Sequence, residues 1–409
     1  MHSFPAAHLE DRNSRHPLLR QRGEGEAKVT NVELCFDLVY AFAVTQLSHF
    51  LLHELTPYHA LQTLVLWFAV WLGWQYTCWV TNWFDPDTRP IRLLIFAAMP
   101  VALIMAAAIP EAFEHRGLAF AGAYVTLQVG RTAFVLSRLG LRHSLSANFL
   151  RMLIWLVIAA GFWIAGGLAE PEARLGFWIA AVLIEYLSPM TGFALPILGR
   201  SRTSDWTIEG GHLAERCQLF VIVALGETIL TTGDRIAEAE VWSAPIMIAS
   251  AVAFLGSAAA WWVYFGTSSE DGSHVIRHSP DPGRVGAYFH YVHVILIAGI
   301  IVMAAANNLI VSQPDGRMTA VLTVTLLGGP ALYLIGSGLY KRVVYGCWSP
   351  AHIGGLVALG ILAAFAQLTD RLLVGGLAIL ILLGVGAVES WFFAPRALTS
   401  TPRDADTPH

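Results

Sequence analysis

Residues 287–311 read AYFHYVHVILIAGIIVMAAANNLIV, twenty-five residues without an Asp, Glu, Lys or Arg. A helix rises ~1.5 Å per residue, so this stretch is long enough to cross the ~30 Å of hydrocarbon in a bilayer. Working outward from it, eleven further runs of the same kind appear: 32–52, 60–83, 92–110, 117–137, 149–169, 175–195, 213–232, 243–265, 319–340, 351–367 and 372–393. Their connections are short and carry Pro, Gly, Asp and Glu, as helix ends do. The pattern predicts an all-α polytopic transmembrane bundle of about twelve spans. The eleventh run is short and the fourth contains Arg131, so ten or eleven crossings stay open beside twelve.

The bulk composition agrees. Hydrophobic residues make up 56% of the chain and charged residues 13%, where a soluble domain carries about a quarter. Fourteen Trp suit a protein with two water–lipid interfaces. A net charge of −4 gives no basic surface for nucleic acid. Cys35, Cys78, Cys217 and Cys347 form no CxxC and no paired framework, so they are expected as free thiols, without structural zinc. Walker, GxSxG, HExxH and Rossmann motifs are missing, and no cofactor is expected. Residues 1–28 are polar and Arg-rich with no apolar h-region, and read as a disordered cytoplasmic tail rather than a signal peptide. Residues 396–409 read likewise.

Orientation follows from the positive residues of the loops. With the N-terminus in the cytoplasm, eighteen Lys and Arg fall on the cytoplasmic side and five on the other, the latter Arg116, Arg174, Arg235, Arg317 and Arg371, one per loop. Both termini are therefore expected inside.

The runs also look duplicated. Glu33-Leu-Cys35 is echoed by Glu215-Arg-Cys217 at an offset of 182, Trp79-Val80 by Trp262-Val263 at 183, and Met105-Ala-Ala-Ala108 by Met303-Ala-Ala-Ala306 at 198. Six spans per half is an even number, so the repeats run parallel, over 29–200 and 201–395, about an axis along the membrane normal.

Ionisable side chains inside a membrane are costly and mark bundle interiors or wet cavities. Glu33 and Asp37 lie four residues apart on one helix face. Two such carboxylates repel, so one is expected to hold its proton, and the pair suits cation binding or proton passage. The competing reading makes Thr30 an N-cap and Glu33 the completion of a capping box. In the seventh run His212 and Glu215 share a face, Arg216 follows as a partner for a carboxylate, and Glu227 lies ~18 Å further along, past mid-membrane. Arg131 and Glu185 are candidates for a structural ion pair between helices. His290 and His293 read as packing residues before they read as metal ligands, and no metal is assigned. Trp67, Trp71 and Trp74 form a stripe that faces lipid or packs in the interior.

The segment Val29–Leu47, VTNVELCFDLVYAFAVTQL, resembles the opening signature of the bacterial low-temperature-requirement A (LtrA) family, and HLAER (212–216) with FVIVALGE (220–227) resembles its second motif. The resemblance spans about residues 27–395, with Cys35 where the family usually carries an aromatic. It implies a multi-span protein of the bacterial inner membrane and maps family motif residues onto Glu33, Asp37, Gln46, Glu215, Arg216 and Glu227. It supplies no settled substrate. More distantly, the first run resembles the lysosomal-type potassium/proton channels, which also duplicate a six-span unit.

These readings converge on a transporter or channel in the lipid bilayer that moves an ion, a proton or a small solute along a polar path between two repeats. Asp37 and Glu227 are the foremost sites, Glu33, Gln46, His212, Glu215, Arg216 and His293 line the path, and a homo-oligomer is open. Carboxylates facing lipid, or sealed with no path, count against it. The alternatives are a membrane-embedded enzyme acting on a lipid or isoprenoid, with an acyl-sized cavity, and a sensor or assembly factor.

Overall fold

The computed structural model describes residues 16–20, 28–203, 208–266, 272, 275–276 and 279–392. Among these the chain is helical, with isolated bridges and no strand. Twelve helical segments follow the order of the twelve apolar runs: α1 (Asn31–His53), α2 (Pro57–Trp83), α3 (Arg89–Ala108), α4, α5 (Ser146–Leu168), α6 (Pro171–Met190), α7 (Gly210–Glu238), α8 (Ala244–Phe265), α9 (Pro282–Ser312), α10 (Ala320–Tyr345), α11 (Pro350–Phe365) and α12 (Arg371–Phe392). Segment α4 comprises Gly117–Val125, a π-turn at Thr126–Gly130, and Arg131–Leu139.

Nine of the described helices are individually long and apolar enough to cross a bilayer, which marks a membrane protein. The other three are α2, α4 and α7. Helix α2 carries His59, Gln62, Gln75 and Asn82, α4 carries Gln128 and Arg131, and α7 carries Glu215, Arg216, Glu227 and Asp234. All of these but Glu215, half-buried, and Asp234, exposed, are buried in the protein interior. The apolar exterior is supplied by the rest, with Leu93, Val324 and Leu380 among the many exposed aliphatics.

Local sequence sets the helix ends. Thr30 and Glu33 form the expected capping box. Proline occupies the first turn of α2, α3, α6, α8, α9 and α11, where its missing N–H costs nothing. Asp281 caps α9 by accepting from the Arg284 amide at 3.0 Å. Gly346, with φ 73°, closes α10 in the left-handed conformation.

Neighbours recur in the two halves. Helix α1 packs on α2 and α3 as α7 packs on α8 and α9. Contacts α3–α4, α4–α5, α5–α6 and α2–α6 recur as α9–α10, α10–α11, α11–α12 and α8–α12. Between the halves, α1 and α2 meet α7 and α9. The most extensive helix–helix packing is between α9 and α10. A Cβ at Gly336 would stand 2.5 Å from the Leu296 amide nitrogen, so glycine is what lets these backbones approach.

One expectation needs correcting. Residues 16–20, read as part of a disordered tail, are packed against the α2–α3 connection. Leu18 is buried, the Arg20 amide donates to the Trp83 carbonyl at 3.0 Å, and the Asp85 amide donates to the Leu18 carbonyl at 2.9 Å. The remainder of 1–27 and the stretch 393–409, including the expected C-terminal tail, lie outside the described residues.

Candidate functional site

The site is built where α1 meets α7. Contacts here join Val29 to Glu215, Glu33 to His212 and Arg216, Asp37 to Arg216, Thr45 to Glu227 and Ser48 to Glu227. The difference in residue number stays between 179 and 186 throughout. Antiparallel helices would hold the sum constant instead. Helices α1 and α7 therefore run parallel and in register. Thr45 and Glu227, which differ by 182, the offset of the Glu33/Glu215 echo, meet face to face.

At the start of the pair lies a buried charge network. Glu33 Oε2 accepts from the Thr30 amide and the Thr30 hydroxyl, both at 2.9 Å, and from Arg20 Nη2 at 3.3 Å. Its Oε1 lies 2.8 Å from His212 Nε2 and 3.1 Å from Arg216 Nη1. Thus Glu33 is both a helix cap and an ion-pair partner. Arg216 Nη2 donates to Asp37 Oδ1 at 2.6 Å, which also accepts from Trp74 Nε1 at 2.7 Å. The guanidinium of Arg216 stacks over the Trp74 ring at 5.7 Å. Asn82, held by two hydrogen bonds to the Glu209 backbone, donates to His212 Nδ1 at 3.2 Å. That donation makes Nδ1 an acceptor and leaves Nε2 facing both Glu33 and Arg20 Nη2, the latter 3.1 Å away. Two carboxylates and two guanidiniums then balance, so like-charge repulsion between Glu33 and Asp37 is relieved by Arg20 and Arg216.

Glu227 is held differently. It is 3% exposed, and its oxygens accept from the hydroxyls of Thr45 and Ser48, the latter at 2.9 Å. Among the described residues no Lys, Arg or His makes an ion pair with it. Each hydroxyl has a second acceptor on α1: the Ala41 carbonyl for Thr45 at 3.3 Å and the Thr45 carbonyl for Ser48 at 2.9 Å.

The other candidates are dispersed. Glu215, half-buried, accepts from the Val29 amide at 3.2 Å. Gln46 is half-buried beside Thr45 and hydrogen-bonds to neither cluster among the described residues. His293 is buried on α9 against the Tyr264 hydroxyl at 2.7 Å and the Phe289 carbonyl at 2.6 Å, apart from His212. His290 sits among the rings of Trp71, Trp74 and Trp79. The tryptophan stripe is interior, with Trp67, Trp71 and Trp74 fully buried. Arg131 and Glu185 do not pair directly. Arg131 Nη2 donates to Gln128 Oε1, Gln128 Nε2 to the Tyr124 hydroxyl at 3.0 Å, and that hydroxyl to Glu185 Oε2 at 2.7 Å. The expected ion pair is thus a chain through two neutral side chains, because α4 spaces Tyr124, Gln128 and Arg131 along one face.

Sequence reasoning missed several members. Arg20 lay in a tail set aside as disordered. Thr45 and Ser48 carry no charge and escaped a search based on the cost of ionised groups, although the repeat offset pointed to Thr45. A further buried cluster joins Glu389 of α12 to Lys341, to Ser349 at 2.7 Å and to His352 at 2.9 Å. Its residues sit near helix ends, where the cost argument is weak.

Two cavities flank α1. One of about 510 Å³ is lined by Thr30, Asn31, Cys35 and Arg92 at its start. The other, of about 350 Å³, is apolar, with Leu51, Leu55, Val321 and Val324. The first is also lined by Asp87, which pairs with Arg92 at 2.8 Å, and the second is lined by no acid or base.

The chain matches the family described as "Bacterial low temperature requirement A protein (LtrA)" over residues 28–387. It is similar to "Uncharacterized protein RA0937" of Rhizobium meliloti (strain 1021), with 36% identity over 343 residues, 83% of each chain. No solved structure matches it.

Proposed function

We propose proton-linked transport for this chain, which belongs to the bacterial low-temperature-requirement A (LtrA) family. The observation that carries the reading is the Glu227 cage. With Glu227 ionised, Thr45 and Ser48 both donate to it. With Glu227 protonated, its O–H donates to one hydroxyl, which turns to its carbonyl on α1. Rotation of one hydroxyl therefore satisfies either protonation state without moving a helix. A buried carboxylate with neutral partners and two satisfied states is suited to load and release a proton.

Around it, the reading takes two parallel six-helix halves, 29–200 and 201–395, crossing the bacterial inner membrane twelve times with both termini cytoplasmic. The recurring helix neighbours, the parallel register of α1 and α7, and the positive loop residues support this arrangement. Asp37, Arg216, Glu33, His212 and Arg20 lock the halves at the cytoplasmic end. Glu227 and Asp37 are buried in protein, which counts against an open pore, and the transport reading takes this conformation as a closed state between openings. Rocking of one half against the other then exposes Glu227 to either side, and a small ion or solute moves with the proton.

The test is flux into proteoliposomes holding a pH-sensitive dye, with H⁺, K⁺ and Na⁺ gradients imposed in turn. Wild type is expected to carry a proton flux that Glu227→Gln abolishes and Asp37→Asn reduces, with both variants folded. Equal flux in Glu227→Gln and wild type overturns the proton site. Absence of flux under all gradients, from folded wild type, removes the ion pathway and favours an assembly role.

A further inference from the structure

Beyond the two clusters, four buried polar groups lie between α1, α2 and α4 without a hydrogen-bond partner among the described residues: Asp37 Oδ2, the hydroxyls of Tyr40 and Tyr76, and Arg131 Nε. All four residues are at most 5% exposed. Buried polar groups are almost always satisfied, by protein or by bound water. These four also converge. Asp37 and Tyr40 are three apart on one face of α1. The Tyr40 hydroxyl lies against Gly73, 2.7 Å from where a Cβ there would be. The carbonyl of the same glycine accepts from Arg131 Nη1 at 3.2 Å. Arg131 also donates to Thr77 at 3.0 Å and lies 5.6 Å from the centre of the Tyr76 ring.

We infer that this region is a built site for ordered water, which joins the Asp37–Arg216 network to the chain from Arg131 to Glu185. The chemistry of the groups selects the ligand. Asp37 Oδ2 only accepts, Arg131 Nε only donates, and the two hydroxyls do both. A cation is repelled by the Arg131 guanidinium and an anion by the Asp37 carboxylate, whereas water meets all four demands. With water in place, one hydrogen-bonded line runs from Arg216 of α7 through Asp37 and Tyr40 of α1, past Gly73 of α2, through Arg131, Gln128 and Tyr124 of α4, to Glu185 of α6. Such a line couples the protonation of Glu185 to the charge network between the halves. It is independent of the Glu227 reading.

The first test uses the wild-type protein in detergent, exposed to X-ray radiolysis in ¹⁸O-labelled water and mapped by mass spectrometry. Hydroxyl radicals formed at bound water label adjacent side chains even when these are buried. Tyr40 and Tyr76 are expected to be labelled. Trp163, Trp178 and Tyr333, equally buried but bonded to protein partners, are expected to stay unlabelled. Labelling of Tyr40 and Tyr76 no greater than of these three overturns the proposal. The second test is the sign of a stability change. If water satisfies the hydroxyls, Tyr40→Phe and Tyr76→Phe lower the melting temperature. If the site is dry, removing an unsatisfied hydroxyl leaves it unchanged or raises it, and the proposal fails.

Discussion

Replacing Arg216 and then its partner distinguishes a charge network from a set of independent contacts. In Arg216→Met, Glu33 keeps Thr30, His212 and Arg20, but of its protein partners Asp37 keeps only the Trp74 N–H. A buried carboxylate stripped of its guanidinium costs about 3–5 kcal/mol. In Asp37→Asn, the amide oxygen still accepts from Trp74 and Arg216, and Arg216 still has Glu33. The loss is then that of a charged hydrogen bond weakened to a neutral one, about 1–3 kcal/mol. The double variant removes the stranded carboxylate along with its partner, so Asp37→Asn should stabilise the Arg216→Met protein rather than weaken it further. The coupling is expected at about 2 kcal/mol or more, within the range for residues sharing one network. Equilibrium unfolding of the four proteins in mixed micelles measures it. If the double variant loses the sum of the single losses, the network as drawn is wrong.

Three further outcomes are expected. Gly336→Ala, whose Cβ would meet the Leu296 backbone at 2.5 Å, should destabilise by about 1–3 kcal/mol in the same unfolding assay, because backbone cannot yield as a side chain does. With Cys35 changed to Ser, an impermeant maleimide should label exposed Cys347 in inside-out vesicles and not in right-side-out ones, while buried Cys78 and Cys217 react after denaturation in either; the reverse pattern inverts the orientation. His16, outside the helices, is held below the ordinary imidazole range by burial first and by neighbouring His143 second. The packed segment therefore binds fewer protons than the detached one, so its attachment is full above about pH 6.5 and weakens as pH falls below that. Hydrogen exchange of the Arg20 and Asp85 amides, corrected for intrinsic rate, should accelerate on acidification in wild type and lose that dependence in His16→Ala.

Much of this was legible in the chain because membrane helices announce themselves by length and apolarity. The capping box at Thr30 and Glu33 could be read locally, and so could the cost of burying Asp37 and Glu227 in apolar helices. What could not be read was which partner met that cost. Arg20 reaches Glu33 because residues 16–20 pair with the backbone of the α2–α3 connection, a contact between segments about sixty residues apart with no periodic signal. The ion pair expected between Arg131 and Glu185 is not formed, because Tyr124 and Gln128, uncharged and one turn apart, stand between them. Trp74 was recognisable as part of a stripe, yet only the fold shows that its N–H faces Asp37.

The parallel register of α1 and α7 explains why polar residues gather there. Residues separated by about 180 positions meet at the same level along the two helices. Two identical carboxylates placed so would repel. Glu33 and Glu215 avoid this, because Glu33 lies inside the network with His212 and Arg216 while Glu215 accepts from the Val29 amide at its edge. Deeper, Thr45 faces its counterpart Glu227, a hydroxyl opposite a carboxylate. A purely structural interface would be served as well by an apolar pair at that depth, since neither hydroxyl needs Glu227 for its own hydrogen bond. A carboxyl there is not required by packing, and the proposed proton site gives it a use.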